Sequence, residues 1–339
     1  MRLLKRIFIL LLLLACGGGI FAWNLVYRGN THHPTNRPLK IPEGSAWADI
    51  MTLIEADTLL RNSSSFNRLA TWTGYSERIK PGLYRIVPGM SNKAILALLA
   101  SGRQEEVKLV LRSSWNKQGL ISYVCQEINA DSIYMLNLLN DPDRLAKYGW
   151  NQHTILAAFV PNTYNFYWNT SADKFLQKML KEHARFWNES RTQKAKSIGL
   201  SPVEVSILAS IVEKETTKSD EMATVAGVYL NRLRIGKRLE ADPTVIFATG
   251  NPDIRRVTGP MLKIESPYNT YYVDGLPPGP ICTPSIQAID AVLKNEKHNY
   301  IYFCAKEDFS GYHTFTHDYN QHLINARIYW FELNKRGIR

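Results

Sequence analysis

From Ile7 to Tyr27 the chain carries no charged side chain, and Arg2, Lys5 and Arg6 precede this run. It contains Leu10 to Leu14 and approaches the roughly 20 apolar residues needed to cross a bilayer. The basic flank is expected to stay cytoplasmic, with everything after Arg28 outside. A single-span membrane anchor in the inner membrane, with the body of the chain periplasmic, is the first expectation. A lipoprotein signal is the second, because Leu13-Leu14-Ala15-Cys16 resembles a lipobox. Leu14 fits that pattern poorly, however, and the apolar run continues past Cys16 to Val26. A cleaved signal peptide is the third. All three export the chain, which argues against nucleic acid as a partner.

At 339 residues, 45% of them apolar, the chain can bury a substantial core in about two or three domains. The net charge of +11 reads as Lys and Arg coating helices, since no compact basic run appears. Of the cysteines, Cys16 lies in the apolar stretch, which leaves Cys125, Cys282 and Cys304. These exclude a full disulfide framework and leave a Cys282–Cys304 bridge open.

Asn30 to Pro38 is polar and reads as a linker. A weak repeat follows. Ile41-Pro42-Glu43-Gly44-Ser45 precedes Trp47, Ile50, Leu53 and Ile54; Val87-Pro88-Gly89-Met90-Ser91 precedes Ile95, Leu98 and Leu99. Each copy predicts a short strand, a turn, a Ser that can cap, and a helix. Glu106 to Leu111 opens a third, degraded copy, with Leu120, Ile121 and Val124 as its expected helix. Strand–helix–helix–strand units of this kind resemble LysM modules, which bind N-acetylglucosamine polymers; the pattern alone favours a small α+β packing domain without a ligand. Ser132 to Gly199 reads mainly as helix. Within it, the aromatic stretch Phe159 to Trp168 is read as core rather than as a platform for sugar rings.

Ser201-Pro202-Val203-Glu204 is a strong helix start, with Ser201 as cap, Pro202 in the first turn and Glu204 completing a capping box. The helix runs on through Ile207, Leu208, Ile211 and Val212 to Glu213-Lys214-Glu215-Thr216. With Leu208 set at zero, Glu215 falls at about −20°, inside the apolar arc. Glu213 falls at about +140°, beside Ser206 and Ser210 on the polar side. An apolar setting raises a carboxyl pKa, which suits a general acid. A helix end at which Glu215 turns to water, or an ion pair with Arg232 or Arg234, explains the residue equally well at this stage. Met222 to Leu233 predicts a second helix, closed by Gly236. The acids Asp220 and Glu221 lie at its start, where unpaired N–H groups favour negative charge, and need no functional reading. Asp242-Pro243-Thr244 reads as a loop.

Ala209 to Thr216, Val225 to Leu233 and Asp242-Pro243-Thr244-Val245 together resemble the YceG-like (MltG) endolytic murein transglycosylases. Ser266 to Tyr271 with Gly275 to Ile281, and His313-Thr314-Phe315, match as well, in the same order. The resemblance covers about residues 40 to 335. It implies that Glu215 is the catalytic acid, a choice the helical-face argument makes independently. One position departs from the family pattern: Asn162 stands in Pro161-Asn162-Thr163-Tyr164 where the family carries an acid.

The resemblance further implies cleavage between N-acetylmuramic acid and N-acetylglucosamine in peptidoglycan glycan strands. Glu215 would protonate the glycosidic oxygen, and the muramyl C6 hydroxyl would close onto C1 as a base, Glu215 itself among the candidates, takes its proton. The nucleophile is then internal, so one carboxylate suffices where ordinary glycosidases need two. No cofactor or metal is implied, and no HExxH is present. His313 and His317 stand four apart in a stretch that reads as strand, so they make no helical metal pair. Asp242, Asn269, Tyr271 and His313 are the expected substrate-binding residues, although Asp242 and the 268–271 stretch also suit simple turns.

The expected fold class is α+β: a transmembrane helix (1–28), a linker (29–39), a small LysM-like domain (40–107) and a mixed α+β catalytic domain (108–339) with a helical connecting region. Wall-synthesis enzymes are expected partners. A non-catalytic wall-binding scaffold protein is the alternative function, and an exported hydrolase using water is a further one.

Overall fold

The computed structural model describes residues 2–113, 116–254 and 256–337. They form two compact units, the first mainly from residues 1–109 and the second mainly from residues 110–339.

The first unit begins with α1 (Arg2–Tyr27). Its side chains are exposed from Leu3 to Asn24, and only Leu25 is buried. At about 1.5 Å per residue this apolar rod is long enough to cross the roughly 30 Å core of a bilayer. Next come β1 (Arg37–Ile41), α2 (Trp47–Ala56), α3 (Ser63–Trp72), β2 (Gly82–Ile86), α4 (Asn92–Ser101) and β3 (Glu106–Val110). β1 and β2 pair antiparallel, from Arg37 opposite Ile86 to Ile41 opposite Gly82. The two intervening helices cover the pair, burying Leu39, Ile41, Ile50, Ile54, Phe66 and Tyr84. The repeat read from the sequence is present as alternating short strands and helices. Its caps differ between copies. Ser91 caps α4 by accepting from the Ala94 N–H, whereas Ser45 turns back to the Pro42 carbonyl. Asp49 takes over in that copy, accepting the Ala46 N–H at 2.8 Å.

The polar stretch read as a linker is bonded into this unit at its start. Asn30 is buried, donates to Asn92 Oδ1 at 2.7 Å and accepts the Asn62 N–H at 2.9 Å. Asn92 in turn donates to the Leu25 carbonyl. Side-chain amides here satisfy backbone groups that no strand or helix pairs.

The second unit holds α5 (Lys117–Glu127) for most of its length, α6 (Ser132–Leu138), α7 (Pro142–Ala146), α8 (Ala172–Phe186) and α9 (Glu189–Ser197). Strand β4 (Thr163–Tyr167) begins in this unit. Phe159, Tyr164, Phe166 and Trp168 are buried, so the aromatic stretch is mostly core, with Tyr167 exposed. The centre of the unit is α10 (Pro202–Glu215), against which α11 (Met222–Arg234), α12 (Asp242–Thr249) and α13 (Ile286–Leu293) pack. A hairpin of β5 (Tyr302–Ala305) and β6 (His313–Thr316) follows, then α14 (Tyr319–Lys335). In the hairpin Ala305 faces His313 and Phe303 faces Phe315.

The polar side expected on α10 is absent. Every residue from Val205 to Val212 is buried, Ser206 and Ser210 included. Short hydroxyls tolerate this because they bond carbonyls of their own helix: Ser206 reaches Pro202 O at 3.0 Å and Ser210 reaches Ile207 O at 2.7 Å. Ser210 Oγ then accepts the Ile281 N–H, which docks the segment before α13. Gly227 plays the equivalent part on α11. A Cβ there would stand 2.5 Å from His298 Nε2 and 2.7 Å from the Glu296 carbonyl, so only glycine admits the strand leading into β5.

Candidate active site

α10 forms where its sequence predicts. Ser201 Oγ accepts the Glu204 N–H, and Glu204 accepts the Ser201 N–H at 2.7 Å. It ends abruptly, because Thr216 turns to extended backbone (φ −138, ψ 141). Glu215 is therefore the last helical residue, partly buried and facing α11. There Tyr229, fully buried and packed edge-on against Phe303, donates its hydroxyl to Glu215 Oε1. Arg232, one turn on along the same helix face, adds a positive charge nearby. Its ion pair, however, goes to Glu240 at 3.3 Å, and its other donors go to the Ile301 and Leu239 carbonyls.

Glu213 points elsewhere. It accepts both the N–H and the hydroxyl of Ser285, the capping residue of α13. Two acids two residues apart thus have separate tasks, one fastening a neighbouring helix and one opening onto a cleft.

That cleft has a volume of 880 Å³ and is lined by Glu215, Asp242, Tyr271 and His313 together with Arg232, Glu240, Phe303 and residues of α14. Four of the five residues singled out from sequence therefore meet in one place. The fifth, Asn269, lies behind the wall. It is fully buried, donates to the Leu262 and Ile264 carbonyls, and accepts the Tyr271 N–H at 3.0 Å. Its amide shapes the loop that presents Tyr271. Asp242 does not sit in a loop; it opens α12, with Pro243 in the first turn, and accepts the Tyr271 hydroxyl at 2.7 Å. Cys282 and Cys304 are free thiols: Cys282 is buried against Ser210, whereas Cys304 lines the cleft.

Burial pushes the Glu215 carboxyl up to about 7, and the Asp242 carboxylate pushes it the same way. The Tyr229 hydrogen bond and the Arg232 charge pull it down, but less than burial raises it. Burial and the neighbouring Asp242 raise the Tyr271 hydroxyl well above its ordinary value, so it stays a donor.

These opposing influences carry a signed expectation. A general acid works only while protonated, so activity is lost as pH rises through its pKa, here near 7. Asp242→Asn removes an upward influence and is expected to move the alkaline limb of kcat/KM to lower pH. Tyr229→Phe removes a downward one and is expected to move it higher. Profiles of kcat/KM from pH 5 to 9 would refute the electrostatic account if both limbs moved the same way.

Three residues in or directly behind the cleft wall were not legible as such in the sequence. Glu221, read as an ordinary helix-start acid, is buried against His313. Tyr229 looked like one more apolar position of α11. Glu240 adopts a left-handed backbone (φ 49), uncommon for a residue with a side chain. No local pattern marks any of the three.

A sequence model of the YceG-like family matches residues 39–328, most of the chain. The chain belongs to the YceG-like family. Among curated relatives, the YceG-like chain is 27% identical over 300 residues to an endolytic murein transglycosylase of Bacillus subtilis, covering 84% of this chain and 82% of that protein. It is 25% identical over 336 residues to the endolytic murein transglycosylase of Streptococcus pneumoniae D39, covering 88% of this chain but only 60% of that longer protein. A crystal structure of a putative yceG-like protein from Listeria monocytogenes superposes with a TM-score of 0.58 at 26% identity, covering 86% of this chain and 99% of that one.

Proposed function

We propose that this chain is an endolytic murein transglycosylase that cleaves the bond between N-acetylmuramic acid and N-acetylglucosamine and leaves 1,6-anhydromuramyl ends. Family membership and the names of its relatives support the reading. The observation that carries it is Glu215, a carboxyl group raised to about 7 at the edge of a large cleft. Such a group is protonated in a substantial fraction of molecules near neutral pH and can donate that proton.

Glu215 donates to the glycosidic oxygen as the bond from the muramyl C1 breaks, and the bonding pair stays on the departing oxygen. Positive charge develops at C1, where the Asp242 carboxylate offers electrostatic support. The muramyl C6 hydroxyl closes onto C1, and its proton passes to a base in the cleft. Tyr271, holding Asp242, is read as a substrate-orienting residue.

α1 is read as an inner-membrane span with its basic flank cytoplasmic and the catalytic region, 108–339, periplasmic. The strand–helix–helix–strand module within 40–107 is read as LysM-like and as a holder of glycan. Nascent strands are the proposed substrate, with wall-synthesis enzymes as partners.

Digestion of uncrosslinked glycan strands in heavy-oxygen water tests the reaction. Mass spectrometry should find anhydromuramyl ends that lack the elements of one water and carry no solvent oxygen. Asp242 is a second carboxylate in the cleft, so hydrolysis is a real alternative outcome. Reducing ends labelled with heavy oxygen would establish it and overturn the proposal.

A further inference from the structure

The transglycosylase reading leaves one proton without a destination, that of the attacking hydroxyl. It also leaves one buried carboxylate without a task. Glu221 has only 6% of its side chain exposed, yet no lysine or arginine among the described residues pairs with it. Its carboxylate accepts the His313 backbone N–H at 2.7 Å and meets His313 Nδ1 at 2.7 Å. It also accepts the hydroxyl of Thr216, the residue next to Glu215. One buried acid therefore ties the end of α10 to β6, meeting His313 from 92 positions away. The His313 ring is further held edge-on by Phe303, with centroids 5.2 Å apart at 89°. His313 lines the same cleft as Glu215. With Nδ1 given to Glu221, Nε2 is the ring nitrogen left to face that cleft.

A carboxylate that accepts from Nδ1 fixes the imidazole in the tautomer with its proton there, so Nε2 is an acceptor. Glu221 has a geometric reason to be buried: a buried carboxylate hydrogen-bonded to a fixed neutral ring is a costly way to hold a strand and an effective way to aim a base.

We propose that His313 is the base of the reaction and Glu221 its positioning residue. The proposal rests on the transglycosylase reading. As the muramyl O6–C1 bond forms, the O6–H proton moves to His313 Nε2. The C1–O4 bond breaks onto O4, which takes the Glu215 proton. The enzyme ends with an imidazolium and a carboxylate, and one proton returned from His313 to Glu215 through solvent closes the cycle. No oxidant or further reactant enters.

Kinetics of the full membrane-anchored chain on uncrosslinked glycan strands, as a function of pH, test this. The ionisable groups that share the cleft with His313 are Glu215, Asp242, Glu240, Arg232, Lys237 and His322, together with Cys304 and the hydroxyls of Tyr271, Tyr302, Tyr319 and Tyr329. Of these, Glu215 accounts for the alkaline limb. His313→Gln is expected to lower kcat by about 10²–10⁴-fold, with KM changed less than threefold, and to abolish the acidic limb of the profile. His313→Ala should regain activity with added imidazole, which a merely structural histidine would not allow. Glu221→Gln should lower kcat about 10–100-fold with KM changed less than threefold, since the ring loses the carboxylate that aims it. An unchanged acidic limb in His313→Gln, or a rise in KM with kcat intact, would overturn the proposal while anhydromuramyl ends still form. Absence of those ends from the wild-type digest would instead remove the transglycosylase reading, and this proposal with it.

Discussion

Glu215→Gln is expected to reduce cleavage of glycan strands by at least about 10²–10⁴-fold while the melting temperature stays nearly constant. The amide keeps the size of the acid and can still accept the Tyr229 hydroxyl, but it has no acidic proton to give. Glu213→Gln is the same chemical change two residues earlier, and the expected outcome is the reverse. Glu213 accepts two hydrogen bonds from Ser285, one to the N–H and one to the hydroxyl. Weakening charge-assisted bonds of this kind costs about 1.5–3 kcal/mol of stability and leaves the chemistry largely alone. Turnover and denaturation midpoints measured side by side separate the two. Equal losses of turnover would mean that the acids act as one unit. Loss from Glu213→Gln alone would move the acid to the other position.

Arg232→Met is expected to be the most destabilising single change near the cleft, at about 3–5 kcal/mol. The guanidinium is buried and serves three acceptors from two segments: the Leu239 carbonyl and the Glu240 carboxylate before α12, and the Ile301 carbonyl beside β5. Methionine fills most of the volume and satisfies none of them. Against a total of about 5–15 kcal/mol for a domain, such a loss is severe. Chemical denaturation of the variant reports it directly, and a cost below about 1 kcal/mol would show that these acceptors find water instead. Arg232 also lowers the Glu215 pKa, so any folded fraction should keep its activity to higher pH than the wild type.

What the sequence made legible was local. The capping box at Ser201, the stop at Gly236 and the apolar run of α1 are each written in a few adjacent residues, and each element forms where those residues place it. Glu215 stood out because helical geometry turns it away from Glu213, and that separation holds. The wheel failed on the opposite face, because it scores a serine as polar although its hydroxyl can be satisfied within its own helix, as at Ser206 and Ser210. What remained hidden was long-range. Tyr229 meets Glu215 from 14 positions away, and Glu221 meets His313 from 92. Nothing in either neighbourhood encodes the other. Asn269 shows the converse: its motif is specific, but its amide is spent on three backbone groups of its own loop.

The abrupt end of α10 at Glu215 has a consequence for how the cleft divides its charges. Peptide dipoles along a helix add head to tail, leaving partial negative charge on the carbonyls of the final turn. Glu215 stands in that turn, where a further negative charge is disfavoured by roughly 0.3–1 kcal/mol, in the same direction as burial. Asp242 stands at the opposite kind of place, the first turn of α12, where free N–H groups welcome an anion. One cleft thus receives two carboxyl groups from the two unlike ends of helices. The backbone alone inclines Glu215 to keep its proton, before any side chain or sugar is counted.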